Sequence, residues 1–141
     1  MAADKSGNCS AMKKIIFLLL LTVPLLVQAQ LHVSTNSRQD YTWSSASSNW
    51  LLVSENVSDI SLLDFNKRFT VMRYTTSSGT YSYTISRVRE TTPRELYELD
   101  LVSQYGSRYL MVIDLRNKVI QFLNSNYTTL VQHTIQRSWF E

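Results

Sequence analysis

From Trp50 onward, apolar and polar residues alternate in short runs that are separated by turn residues. Successive side chains of a strand point to opposite faces of a sheet, so this alternation predicts strands with one buried face. Eight such runs span 50–55, 60–65, 68–76, 80–90, 96–103, 108–115, 119–123 and 127–137. The pattern predicts an all-β domain, a sequential antiparallel meander of about eight strands that forms a small barrel or a sandwich.

The turns between these runs predict which residues pair. We expect turns at Ser78-Gly79, Asn117-Lys118 and Ser125-Asn126 and a three-residue loop at 105–107. These turns would pair Tyr74 with Tyr83, Leu99 with Ile113, Ile113 with Phe122, and Ile120 with Val131. All four hairpins then place one set of side chains on the interior face: Met72, Tyr74, Tyr83, Ile85, Tyr97, Leu99, Leu101, Met111, Ile113, Leu115, Ile120, Phe122, Val131 and Ile135.

The predicted interior face is rich in tyrosine. A buried tyrosine hydroxyl needs a hydrogen-bond partner, so inward tyrosines can orient a ligand in a mostly apolar cavity. The candidate ligand-binding residues are Tyr74, Tyr83, Tyr97, Tyr109, Tyr127 and His133. The alternative is that the rings simply fill the core and the histidine bonds to a tyrosine. No nucleophile motif accompanies the histidine, so no catalytic residue is assigned.

The residues before Trp50 follow a different pattern. Lys13 and Lys14 precede the apolar segment 15–27, and Val27-Gln28-Ala29 is suited to cleavage, so residues 12–29 are predicted to be a signal peptide cut after Ala29. The 13 apolar-segment residues are fewer than the ~20 that a stable membrane span needs. Residues 1–11 are predicted to be a polar extension. The Ser/Thr/Asn/Gln-rich stretch 30–49 is predicted to be a flexible polar segment or an edge segment before the β domain at 50–141.

Removal of the leader changes the composition. The full chain has 14 Lys and Arg against 11 Asp and Glu, and 11 against 10 remain after Ala29. This near-neutral balance argues against a nucleic-acid partner. The single cysteine, Cys9, also precedes the cut, so the mature chain has no thiol or disulfide. The two histidines, His32 and His133, lack the spacing of a metal site, and no cofactor is expected.

Two lysines, an Ile/Leu core and an Ala-Gln junction resemble the leaders of diderm bacteria. With its strand rhythm, the chain is similar to uncharacterised small exported bacterial β-proteins of lipocalin-like architecture. That resemblance implies a secreted or periplasmic protein. The Gly-x-Trp motif of true lipocalins is missing, since Trp50 follows Ser48-Asn49 and Trp43 follows Tyr41-Thr42, so the resemblance transfers no functional residue.

The opposite face carries a second feature. Leu110, Val112, Leu123 and Leu130, together with Val102, form an outer apolar stripe that needs cover. The Trp43/Trp50 segment, the C-terminal Trp139-Phe140 or another protein could supply that cover, and cover from within the chain is preferred.

Glu98 and Asp100 share the outer face with Asp114, which the predicted register sets opposite Glu98. Paired carboxylates can perform acid–base chemistry. A solvated charged face, neutralised by Arg94, Arg116 and Lys118, is favoured over a hydrolase site, and the protein is not expected to be an enzyme.

Two functions remain. The first is an exported binding protein for a small apolar or aromatic ligand among the inward tyrosines. The second is a protein-interaction module that contacts a secreted or envelope protein, as an inhibitor of a secreted hydrolase or an assembly component. A closed barrel with a cavity of several hundred Å³ favours the ligand. A filled interior with an exposed apolar stripe favours the protein partner.

Overall fold

The computed structural model describes residues 29–141, which form nine β-strands and no helix. The strands are β1 (Leu31–Ser44), β2 (Asn49–Asn56), β3 (Ser61–Phe65), β4 (Val71–Thr76), β5 (Gly79–Thr92), β6 (Leu96–Ser103), β7 (Arg108–Asp114), β8 (Val119–Asn124) and β9 (Thr129–Phe140). All eight predicted strands are confirmed within a few residues. The predicted leader and polar extension lie outside the described residues. Within 29–141, no helix is long and apolar enough to cross a membrane.

The sheet closes on itself through the first and last strands. Strands β3 to β9 form a sequential antiparallel meander, and β1 pairs with both β3 and β9. Eight strands therefore form a closed barrel, which decides between the two predicted architectures. The ninth strand, β2, pairs only with the distal half of β1, where Arg38 to Ser44 face Asn56 to Asn49.

The prediction of a flexible segment at 30–49 is wrong. The whole of β1 lies in this stretch, and the inward side chains at its start are Leu31, Val33 and Thr35. The pairing with β9 is irregular on both sides of Thr35, which faces Ile135 while Ser37 faces Thr134. This irregularity turns the even-numbered residues inward, so the alternation changes phase within the strand and is not visible as one continuous pattern.

The four predicted registers were each wrong by two residues. The observed pairs are Tyr74 with Tyr81, Leu99 with Met111, Ile113 with Ile120, and Phe122 with Val131. The β4–β5 turn lies at 77–78, and Gly79 follows it with a φ of +147°, which glycine adopts without strain. A shift of two preserves the face of every side chain, so the predicted interior face is correct.

The barrel interior is filled by apolar side chains. All fourteen predicted interior residues are in the buried core or packed against it. The core also includes Leu31, Val33, Leu63 and Phe65, which come from the strands nearest the chain's start. The burial of these fifteen apolar side chains explains how a domain of this size is stable without a disulfide.

Candidate functional site

A cup of about 500 Å³ lies at the end of the barrel formed by the β4–β5 turn and the connection between β2 and β3. Its walls combine tyrosine rings with charged and hydroxyl groups. The lining residues are Arg38, Asp40, Asn56, Asp59, Tyr74, Thr76, Ser77, Ser78, Tyr81 and Tyr83. Because core side chains fill the interior below, a ligand in the cup would lie at the mouth of the barrel and not deep inside it.

An ion pair from β1 forms one wall of the cup. The guanidinium of Arg38 lies 2.9 Å from Oδ1 of Asp40, and Ser54 donates a hydrogen bond of 2.8 Å to Oδ2. Burial alone would raise the pKa of Asp40, but hydrogen bonds from Arg38 and Ser54 outweigh it and lower that pKa. The carboxylate therefore stays charged, and the pair presents a fixed dipole toward the cup.

Tyr74 forms the floor of the cup, and the buried His133 lies behind it. The Tyr74 hydroxyl lies 3.1 Å from Nε2 of His133, whose exposed fraction is 1%. Desolvation, followed by the nearby charge of Arg38, lowers the pKa of His133. Desolvation likewise raises the pKa of Tyr74. Both side chains are thus neutral near pH 7, which suits a rigid hydrogen-bonded floor.

A cluster of aromatic rings continues from this floor. Phe122 lies 5.8 Å from Tyr74 and 6.4 Å from Tyr83, measured between ring centroids, and Tyr83 meets Tyr109 edge-on at 6.1 Å. Burial and the neighbouring Tyr109 raise the pKa of Tyr83. The hydroxyls of Tyr74 and Tyr83 therefore remain protonated and can both donate and accept hydrogen bonds.

The structure brings together only part of the predicted tyrosine set. Tyr74 and Tyr83 line the cup, His133 lies buried behind Tyr74, and Tyr109 packs against Tyr83. Tyr97 lies elsewhere, stacked on Phe69 at a centroid distance of 5.6 Å.

Burial, together with Glu90, raises the pKa of Tyr97 to about 12. Tyr127 is 58% exposed in the β8–β9 turn. The structure thus places neither Tyr97 nor Tyr127 in the cup.

Sequence reasoning missed the charged lining of the cup. The sequence predicts a flexible segment around Arg38 and Asp40, and no motif marks Asp59. Arg38 and Asp40 point inward because the irregularity around Thr35 turns the even-numbered residues of β1 toward the barrel. The available signal was the Leu31-Val33-Thr35 alternation, which reveals the start of a strand.

A second cavity of about 360 Å³ lies beside the loops at the same end of the barrel. Tyr109 and Tyr127 line it together with Arg108, Asp100 and Leu110. The predicted tyrosine set is thus divided between two cavities and the core.

The outer carboxylates do not form a facing pair. Glu98 lies opposite Val112, and Asp114 lies opposite Leu96. On β5, Arg89 lies 3.2 Å from Glu98 and Arg87 lies 2.8 Å from Asp100. These two arginines neutralise the carboxylates, and not the cations that the sequence predicted for this role. Hydrogen bonds from Asn117 lower the pKa of Asp114. In the described part of the chain, no three His, Cys, Asp or Glu side chains are placed to hold a metal ion.

The outer apolar stripe extends further than predicted. Side-by-side pairs connect Leu110, Leu123, Leu130, Tyr41 and Leu52 in one row across β7, β8, β9, β1 and β2. We call these five residues the outer row. The C-terminal Trp139 does not cover it, because that ring stacks on His32 at 5.2 Å at the other end of β9.

Comparison with known proteins gave no match to a protein family, a curated protein or a solved structure.

Proposed function

We propose that this chain is an exported, non-catalytic binding protein that holds a small ligand in the cup. The observation that supports this most directly is a 500 Å³ space walled by tyrosine rings above a filled core. Binding pockets of this size combine apolar walls with a few oriented polar groups.

The residues that line the cup also restrict the chemical class of the ligand. The ring faces of Tyr81 and Tyr83 favour a planar or apolar body. The Arg38–Asp40 pair and Asp59 favour hydrogen-bonding groups on the ligand, since a ligand that covers these charges without bonding to them takes away their contacts with water. The proposed ligand is therefore a small ring compound with polar substituents.

An aromatic probe tests the cup directly. Anilinonaphthalene sulfonate carries fused rings and one anionic group, so it can contact Tyr83 and Arg38 together. We expect Tyr83→Ala and Arg38→Met each to weaken probe binding about tenfold, roughly 1.4 kcal/mol. Tyr105, which is 81% exposed, provides the control variant Tyr105→Ala. Equal probe affinity in all three variants would reject the cup.

Tyr97→Phe sharpens the same test. The Tyr97 ring belongs to the core away from the cup, so this variant should bind the probe as the wild type does. Native mass spectrometry of the purified protein then identifies any small molecule retained by wild type and lost from Tyr83→Ala.

Export is the second part of the proposal, and the pattern of residues 12–29 supports it. Expression of the full chain in a diderm bacterium should yield a periplasmic protein that begins at Gln30. A cytoplasmic protein with an intact Met1 would contradict export.

A second function, a protein-interaction module, is favoured by one separate observation. Four of the large apolar side chains on or just after β2 are among the most exposed in the molecule: Leu51, Leu52, Val53 and Val57 are 49 to 74% exposed. Apolar surface of this kind is typical of a site that another protein covers.

A further inference from the structure

Strand β2 has an unoccupied backbone edge. It contacts β1 and no other strand of the described chain. Every residue of β2 except Trp50 is exposed. One side of β2 therefore presents backbone N–H and C=O groups without a strand partner, which is a template for pairing with another chain.

This edge lacks most of the features that protect the edge strands of monomeric proteins. Such strands usually carry lysine or proline, and the β2 sequence NWLLVSEN contains neither. Its one charge, Glu55, accepts a 3.1 Å hydrogen bond from Nε2 of Gln39 on β1. The only protective device present is the bulge at Val53, where the register with β1 shifts. The edge is thus open, carries one charge and is apolar over residues 50–53.

The outer row shows what fits this edge. The row crosses five strands and stops at Leu52, on the strand whose far edge is free. Antiparallel pairing with an identical strand can set Leu52 opposite Leu52 of the second copy. Directly opposed residues point to the same face, so the two rows would join into one.

Pairing Leu52 with Leu52 of the second copy also keeps like charges apart. It sets Glu55 opposite Asn49 of the second copy and keeps the two Glu55 carboxylates six residues apart, about 20 Å. Like charges therefore never face each other across the new pair. A strand with a charge near its centre would not tolerate this self-pairing.

We propose that β2 pairs antiparallel with β2 of a second copy of this chain, with Leu52 on the two-fold axis. The interface would be an extended sheet, with the joined outer rows on one face. This inference rests on the second proposed function, whose partner it identifies as the protein itself, and is independent of ligand binding in the cup.

Sedimentation of the purified full-chain product tests the pairing. We expect concentration-dependent dimers, and Leu52→Lys should raise the dimer dissociation constant at least tenfold because it sets two cations opposite each other. Val71→Lys is the matched control, since Val71 is an exposed, outward apolar residue on β4, away from β2. A monomeric wild type, or equal loss in both variants, overturns the proposal.

Cross-linking tests the register. In a Cys9→Ser background, Leu52→Cys should form a disulfide-linked dimer under mild oxidation, because opposed residues lie about 4.5–5.5 Å apart. Glu55→Cys is the control, since its two copies would be too far apart to join. Cross-linking of both variants, or of Glu55→Cys alone, overturns the register.

Failure of the self-pairing and of the interaction function can be told apart. If the wild type is monomeric but immobilised protein retains an envelope protein that Leu52→Lys loses, the self-pairing is rejected and the interaction function survives. If neither association is seen, both are rejected.

Discussion

Two loops with the same local structure lie at opposite ends of the barrel. Residues 66–70 and 124–128 both read Asn-x-x-aromatic-Thr. In each, the asparagine Oδ1 accepts hydrogen bonds from two backbone N–H groups, at 2.8 and 3.0 Å, and its Nδ2 donates to the threonine hydroxyl at 2.7 Å. The aromatic residues, Phe69 and Tyr127, both adopt positive φ, 52° and 54°. The local sequence thus determines the same turn twice.

The two aromatic side chains nevertheless have different surroundings. Phe69 stacks between Phe65 and Tyr97, at centroid distances of 5.4 and 5.6 Å, and closes one end of the barrel. Tyr127 is largely exposed beside the smaller cavity at the cup end. The hydrogen bonds of the turn fix where the aromatic ring lies. Whether the ring is buried depends on the side chains that the neighbouring strands place around it. One end therefore contributes stability, and the other leaves space for a ligand.

The largest expected effect separates these two rings. Phe69→Ala should lower the free energy of unfolding by about 2–4 kcal/mol, because it leaves a cavity between two stacked rings. Tyr127→Ala should change it by no more than about 0.5 kcal/mol, since its ring is mostly solvated. Urea denaturation measures both. If the two variants lost similar amounts of unfolding free energy, the proposed difference in stability between the two ends of the barrel would be contradicted.

The asparagines should behave alike. Asn66→Ala and Asn124→Ala each remove three hydrogen bonds to the loop, and we expect each to cost about 1–2 kcal/mol of stability. Urea denaturation of the two variants in parallel checks this. A loss at only one end would show that the loops do not share their source of stability. Asn117→Ala, in a loop of different structure, serves as a reference.

The cup end should also respond to pH. Because the folded pKa of His133 lies below its value of 6.5 in the unfolded chain, unfolding takes up a proton in this range. Stability should therefore fall as pH drops below about 6.5, by at most about 1.4 kcal/mol per unit, and level off below the folded pKa. His133→Gln should lose this component. An unchanged pH profile in that variant would assign the effect to groups other than His133.

The smallest effect concerns backbone strain. A bulky residue at positive φ is strained by roughly 1 kcal/mol, and glycine is not. Tyr127→Gly should therefore raise the stability by about 0.5 kcal/mol, whereas Phe69→Gly should lower it through loss of the stack. Thermal unfolding measures both. A destabilised Tyr127→Gly would indicate that the exposed ring contributes more than its burial suggests.

The sequence was sufficient to predict the faces of the strands but not their registers. Alternation has a period of two, so Tyr74, Leu99 and Phe122 were placed inside whichever partner they faced. The partner depends on where the turn lies. If the predicted turn is displaced by one residue, every pair in the hairpin shifts by two residues. All four predicted hairpins show this error.

The candidate site was harder to predict for a related reason. The buried tyrosine and histidine were recognised because β4, β5 and β9 alternate regularly. Arg38 and Asp40 were missed because the irregularity around Thr35 changes which residues of β1 face inward. Tyr97 shares the inward face with Tyr74 and Tyr83 but lies away from the cup, since a shared face does not show how far along the barrel a side chain lies.

The closure of the barrel by its first and last strands has a consequence for folding kinetics. Strands β3 to β9 pair with their neighbours in sequence and can form hairpin by hairpin. The β1–β9 pairing joins Leu31 to Phe140, which lie at opposite ends of the described chain. It therefore brings together strands that are far apart in sequence. Contacts between such distant residues slow folding. We therefore expect formation of this pairing to limit the folding rate, with an open meander as the preceding species.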